Sequence, residues 1–274
     1  MDFIQESPFA KYRIQPGTRV HLANMDPDDA GKWDKDKAKK AVEKERARIE
    51  EWQEKLYAES KQSLLIVLQA TDTGGKDGTI EAVFEGVNPK GCNVASFKAP
   101  SSEELSHDFL WRIHKQAPAK GMITIFNRSH YEDVLVVRVK EFVPEVVWRE
   151  RYQLINDFER LLWLNGTKIL KFYLHISKEE QKERLQARLD DPTKHWKFNS
   201  ADLTERQLWD QYEVAFEDAL SFCSTPYAPW YVIPANKKWY RNVVISRIIA
   251  DTLEAMNPQF PLSLPDLKDV VIPD

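Results

Sequence analysis

Five short apolar runs, at 64–68, 93–97, 122–126, 169–176 and 230–233, punctuate a chain that is otherwise polar and periodic. Runs such as LLIVL and MITIF are apolar at nearly every position. That is the pattern of strands covered on both faces in a parallel sheet, not of strands with one wet face. Helix-start signals lie between the runs. Ser101 with Glu104, Ser177 with Glu180 and Thr204 with Gln207 have the spacing in which one side chain caps the helix and the other bonds back to the cap. Strands alternating with helices predict a three-layer α/β domain, a five-stranded parallel sheet with helices on both faces, over residues 61–257.

Outside that domain the pattern changes. Residues 1–30 carry Pro8, Pro16, Gly17 and Pro27 among acids and predict an irregular arm. From 33 to 62 the chain has no Gly or Pro and is rich in Ala, Glu, Lys and Arg. Ala38, Val42, Ile49, Trp52 and Leu56 form a narrow apolar stripe at helical spacing, predicting a long, mostly solvated helix that rests on the core through that stripe. Residues 1–60 are thus an arm and helix, and 258–274 a proline-punctuated tail on the surface or on a neighbouring subunit.

Composition narrows the possible partners. Hydrophobic residues make up 42% of the 274, enough for a sizeable core. With 39 Lys and Arg against 43 Asp and Glu, the net charge of −4 excludes a coat of basic charge for indiscriminate nucleic-acid binding, so any polyanion site must be local. Cys92 and Cys223 are too few for a disulfide framework, and no apolar run approaches the roughly 20 residues of a membrane span. A cytoplasmic protein with no membrane or nucleic-acid partner is expected. His107 and His114 are seven apart, but no third ligand stands near them in the sequence.

The candidate chemistry begins where the first run ends. LLIVLQ leads at once into ATDTGGKDGTIEAVFEGV, a strand, a glycine turn and a helix start. The free N–H groups of a helix N-terminus favour anions, and glycines let that backbone approach phosphate oxygens. Gly74, Gly75, Lys76, Asp77, Gly78 and Thr79 resemble the phosphate-loop pattern G-x-x-x-x-G-K-[ST], with Ala70 at the first glycine and Asp77 at the hydroxyl position. The plain alternative is a glycine turn with a solvated lysine. Asp72 tilts the balance, because an acid in a phosphate cradle repels phosphate unless a cation such as Mg²⁺ lies between them.

Two further clusters belong on the same rim. The third run is followed by Asn127, Arg128, Ser129, His130, Tyr131, Glu132 and Asp133, and in parallel sheets ligands sit beyond the carboxyl ends of the strands. Arg128 offers a planar fork for phosphate oxygens, and Glu132 or Asp133 could join a metal shell; a surface ion pair is the alternative for Arg128. Between the fourth run and the next helix, Arg184 and Arg188 share a helix face, and Lys194 and Lys197 flank His195 and Trp196. A solvated face is the common meaning of such a charge run. Here its position predicts a lid over phosphates, about 184–203. Lys237, Lys238 and Arg241 extend the basic zone after the fifth run.

LQATDTGGKDGTIE, IFNRSHYEDVLVVRV, RLDDPTKHWKFNSADL and WYVIPANKKWYRNVVISRII together resemble the polyphosphate kinase 2 family across residues 60–255. The resemblance implies a P-loop nucleotide-kinase-like fold, Mg²⁺ as cofactor with Mn²⁺ as a substitute, and reversible phosphoryl transfer between inorganic polyphosphate and adenine or guanine nucleotides. It implies catalytic roles for Asp72, Lys76, Arg128 and Arg188. Nucleotide or phosphate would contact Gly74, Gly75, Asp77, Gly78, Thr79, Asn127 and Glu132, and the metal Asp72 and Glu132. Polyphosphate would lie along Arg184, Lys194, Lys197, Lys237, Lys238 and Arg241. Many members read Asp-Arg-Ser-x-Tyr-Asn at the second motif; Asn127 and Glu132 here resemble class III, which phosphorylates mono- and diphosphates. A homodimer or homotetramer is also implied. The competing classes are an ATP-dependent nucleoside monophosphate kinase and a non-catalytic polyanion or nucleotide sensor.

Overall fold

A computed structural model describes residues 9–262 together with 270, 272 and 273. The first eight positions of the expected arm, and 263–269, 271 and 274 of the expected tail, lie outside the described residues. In chain order the elements are α1 (Lys35–Glu59), β1 (Ser63–Gln69), α2 (Lys76–Phe84), β2 (Cys92–Ser96), α3 (Ser102–Leu105) and α4 (Trp111–His114). They continue with β3 (Ile123–Asn127), α5 (Val136–Val139), α6 (Glu145–Leu164), β4 (Thr167–His175), α7 (Lys178–Asp190) and α8 (Ala201–Gln207). The last three are α9 (Trp209–Phe222), β5 (Trp230–Pro234) and α10 (Lys238–Met256). Each of the five apolar runs has become a strand.

The five strands pair in parallel in the order β2-β3-β1-β4-β5. Because β1 stands between β3 and β4, the connections leave it in opposite directions and a crevice opens at its carboxyl end. Successive β1 side chains enter different cores, which explains a run with no polar alternation. Leu64, Ile66 and Leu68 pack with Ile49 and Val244 of α1 and α10, while Leu65 and Val67 pack with Ile155 and Phe216 of α6 and α9.

α1 is buried along one stripe, and that stripe is wider than its apolar residues alone indicate. Asp34 caps its first turn by accepting from the Lys37 amide. Ala38, Val42, Ile49 and Leu56 are buried against α10, and the buried stripe is widened by two polar side chains, Glu45 and Gln53. Glu45 accepts from Arg48 and, at 3.0 Å, from Arg247 of α10, while Arg48 also reaches Asp251 at 3.0 Å. A stripe that pairs apolar residues with a buried carboxylate looks narrower in sequence than it is in space. The arm seals the far sheet edge, with Ile14 donating to the Trp230 carbonyl at 2.8 Å and Phe9, Tyr12 and Leu22 buried.

Ile49 is fully buried between α1 and the core. Ile49→Ala is expected to lower unfolding stability by about 2–5 kcal/mol in denaturant titration; a loss under about 0.5 kcal/mol would mean that α1 does not rest on the sheet domain.

Candidate active site at the carboxyl end of the sheet

The turn between β1 and α2 is built by backbone geometry that only certain residues allow. Thr73 lies in the left-handed region at φ 61°, and Gly75, the cap of α2, at φ 98°. A side chain at Gly74 would collide with the Ala70 methyl and stand 2.9 Å from the Thr71 carbonyl, and one at Gly75 would collide with the Arg241 guanidinium. Ala70, at the place of the pattern's first glycine, therefore packs directly on Gly74. Lys76 curls back to donate to the Ala70 carbonyl at 3.3 Å. Asp77 accepts from Asn127 at 2.6 Å, tying the end of β3 to the start of α2.

The Thr79 hydroxyl donates to the Gly75 carbonyl at 2.9 Å and the residue is 1% exposed, so it closes the first turn of α2.

Arg128 brings the second loop onto the first. Its backbone is left-handed at φ 61° and its amide donates to the Leu68 carbonyl at 3.2 Å, so the loop folds back over the end of β1. Its guanidinium meets Asp72 at 2.8 Å and Glu132 at 3.4 Å. Burial alone would lower its pKa, but Glu132 and Asp72 more than reverse that and raise it. Burial, then the Arg128 charge, lowers the pKa of Lys76 against the pull of Asp72, Glu132 and Asp77. Five charged groups from two loops thus share one field. Asp72 and Arg128 line both the main cleft, about 780 Å³, and a smaller cavity of about 200 Å³ beside Glu132, Trp209 and Tyr212.

Two arginines predicted for a polymer track, Arg184 and Arg241, both line the cleft and are held in different ways. Arg184 donates to the carbonyls of Thr73 (3.0 Å), Ala235 (2.6 Å) and Asn236 (3.1 Å) and to Glu180 (2.6 Å), so it clamps α7 to the glycine turn and the end of β5. Arg241 lies beneath the glycine turn at 2% exposure. Its Nε and Nη2 donate to neighbouring Asn242 at 3.1 and 2.9 Å, and Nη1 has no partner. Burial and the Arg184 charge push its pKa down to about 9. At neutral pH Arg241 is therefore a buried cation with a free donor and no carboxylate hydrogen-bonded to it among the described residues.

The remaining cations ring the cleft. Arg188 donates to the Lys197 carbonyl at 3.1 Å and meets Asp202 at 3.4 Å, holding the lid segment of α7, the turn 192–197 and α8 together. Lys194 pairs with Asp191 at 2.7 Å, and Lys197 lies over the ring of Trp196. Lys238 lines the cleft, its pKa lowered by burial and by Arg184 and Arg241. Lys237 turns away and donates to the Asp28 carbonyl at 2.7 Å. Sequence reasoning missed Lys98 and Asp202, both in the lining. Lys98 stands just beyond β2, the kind of position that singled out Arg128, and that signal was available. His107 stacks on Trp111 and His114 meets Phe158 edge to face, and among the described residues no group of three or more His, Cys, Asp or Glu could hold a metal.

A parallel sheet with a crevice at β1, a glycine turn capping a helix, an arginine at the next strand end and a basic helical lid define a P-loop kinase-like phosphotransferase. The chain belongs to the polyphosphate kinase 2 family, whose model matches residues 32–261. It is 56% identical over 253 residues to the AMP/ADP-polyphosphate phosphotransferase of Meiothermus ruber, covering 92% of this chain and 95% of that one. It is 41% identical to the ADP-polyphosphate phosphotransferase of Rhodopseudomonas palustris, with 93% of each chain covered. The crystal structure of polyphosphate kinase 2 from Arthrobacter aurescens superposes with a TM-score of 0.93 at 44% identity, covering 96% of this chain and 95% of that one. The protein is an enzyme that transfers phosphate from polyphosphate to nucleotides.

Two expectations arise from these electrostatics. Arg241→Met removes a buried, uncompensated cation, so the ligand-free protein is expected to melt no lower than wild type, while the thermal stabilisation by added tripolyphosphate disappears; an undiminished tripolyphosphate shift would remove Arg241 from the anion site. Asp133 is the second case. Burial raises its pKa from 3.8 to about 6 despite Arg151 at 2.9 Å. The folded state then holds this proton more tightly than the unfolded chain, so the stability from it is full below about pH 4 and is lost as pH rises to about 6. Asp133→Asn should flatten that part of the melting-temperature profile between pH 4 and 6, and parallel profiles for the two proteins would contradict the assignment.

Proposed function

We propose that the enzyme moves the terminal phosphoryl group of inorganic polyphosphate onto AMP and onto ADP, with guanine nucleotides as further acceptors, reversibly, in the cytoplasm and as a homodimer or homotetramer. The observation that carries the reading is the unpartnered Nη1 of buried Arg241 beneath the glycine turn. An isolated buried cation is costly unless an anion neutralises it. Around it, Lys76, Lys98, Arg188, Lys194, Lys197 and Lys238 line a cleft larger than one phosphate requires, which suits a polymer.

The acceptor needs no general base, because the terminal phosphate of AMP or ADP has a second pKa of about 6 and is already largely ionised. What remains is in-line placement and positive charge around the transferring group. The free amides at the start of α2, Lys76 and Arg241 hold donor phosphate. Arg128, at the junction of the two cavities, aligns the transferring group between donor and acceptor. Arg188 and the lysines of the lid close over the polymer and exclude water.

The donor set also fits a hard divalent cation. Asp72 and Glu132 bring carboxylate oxygens to one guanidinium from two sides. Mg²⁺ takes one or two carboxylates and keeps water and phosphate oxygens, so a larger protein cage is unnecessary. Mn²⁺ shares these preferences. When bound, the ion neutralises phosphate charge. Asn127, tied to Asp77, orients the turn and offers no carboxylate.

With Mg²⁺ and long-chain polyphosphate, purified protein is expected to convert AMP to ADP and then ATP, and Lys76→Ala or Arg128→Ala to lower kcat by about 100-fold or more at unchanged melting temperature. Turnover of AMP with ATP but none with polyphosphate would establish a nucleoside monophosphate kinase instead.

A further inference from the structure

Lys171 is a lysine in the middle of a core strand, fully buried in β4. All three of its protons are used: Nζ donates to Glu159 Oε2 at 2.6 Å, to the Tyr131 hydroxyl at 2.8 Å and to the Cys223 carbonyl at 2.6 Å. Glu159, from α6 and also fully buried, accepts the Tyr131 hydroxyl on Oε1 at 2.9 Å, with His130 Nε2 3.2 Å from the same oxygen. The network therefore joins β4, α6 and the end of α9 to a single short turn, His130–Val134. Apolar side chains surround it, among them Trp230, whose ring lies 4.7 Å from that of Tyr131.

The turn it grips is the one that carries the chemistry. Arg128 stands two residues before it, in a left-handed backbone conformation that the surroundings must enforce, and Glu132 lies within it. Ser129 fixes the upper side of the same turn, accepting from Gln69 and from the Tyr131 amide, each at 3.2 Å. A buried ion pair is weak evidence for stability, because apolar residues of similar volume often serve the fold as well. What a fully satisfied polar network adds is one fixed geometry, since hydrogen bonds are directional where apolar contacts are not.

We propose that Lys171, Glu159 and the Tyr131 hydroxyl are positioning residues for phosphoryl transfer: they hold the 130–134 turn in the orientation that keeps Arg128 between Asp72 and Glu132. They touch no substrate. Their contribution lies in the rate of the bound complex and not in substrate affinity, because the lid and cleft cations that grip phosphate belong to other elements. The inference rests on the reading of Arg128 given above.

The test uses the full chain with AMP, Mg²⁺ and long-chain polyphosphate, comparing wild type with Tyr131→Phe and with the double variant Lys171→Met/Glu159→Leu, which removes both charges together. Tyr131→Phe is expected to melt within a few degrees of wild type, to lower kcat about tenfold or more and to leave both KM values within about twofold. The double variant is expected to melt near wild type and to lose at least as much in kcat. Wild-type kcat in either variant, or a loss confined to KM, overturns the proposal. Tyr131→Phe decides the matter alone where the double variant does not fold. Failure of wild type to use polyphosphate would instead count against the functional reading, and the same ratios would then be measured with ATP as donor.

Discussion

A guanidinium packed under a glycine turn, with one nitrogen unpartnered, sets the terms for the rest of this active site. Arg241 reaches that place because Gly75 has no side chain to keep it out, and because α10 starts directly beneath the turn that ends β1. Arg184 crosses the same space and spends its donors on three carbonyl oxygens and the Glu180 carboxylate, and its charge still lowers the pKa of Arg241. A buried guanidinium with no carboxylate on it favours an anion at its free donor.

Charge of the opposite sign is kept to one flank. Asp72 and Glu132 both face Arg128, and Asp77 is held by Asn127. The cleft thus divides into a predominantly cationic floor under the glycine turn and a mixed flank at the end of β3, where an arginine stands between carboxylates. A polyanion favours the first environment, and a divalent cation bridging to phosphate favours the second. Arg128, lining both cavities, stands where the two meet.

The sheet was legible in the sequence because its strands are buried on both faces, and unbroken runs such as LLIVL have few other meanings. The glycine turn and Arg128 were legible from their position at strand ends. What could not be seen was which cations do structural work. Arg184, Arg188 and Arg241 look alike as letters, yet one donates to three carbonyls, one ties the 192–197 turn to α8 and one keeps an unpartnered nitrogen, and that division depends on which backbone lies within reach. The partners of Thr79 and Lys237 were hidden for the same reason, each being satisfied by a nearby carbonyl. The width of the α1 stripe was hidden because Glu45 and Gln53 count as polar in any pattern, although the ion cluster with Arg48 and Arg247 lets Glu45 be buried.

The central claim is that a polyanion supplies the charge the cleft lacks, and the salt dependence of binding reports on it directly. Titration calorimetry of long-chain polyphosphate into the full chain, repeated from low to high salt, is predicted to show affinity falling steeply and linearly on a double-logarithmic scale, with a slope of several phosphates neutralised. An affinity that hardly changes with salt would mean that the clustered cations do not meet the polymer, and would contradict the account.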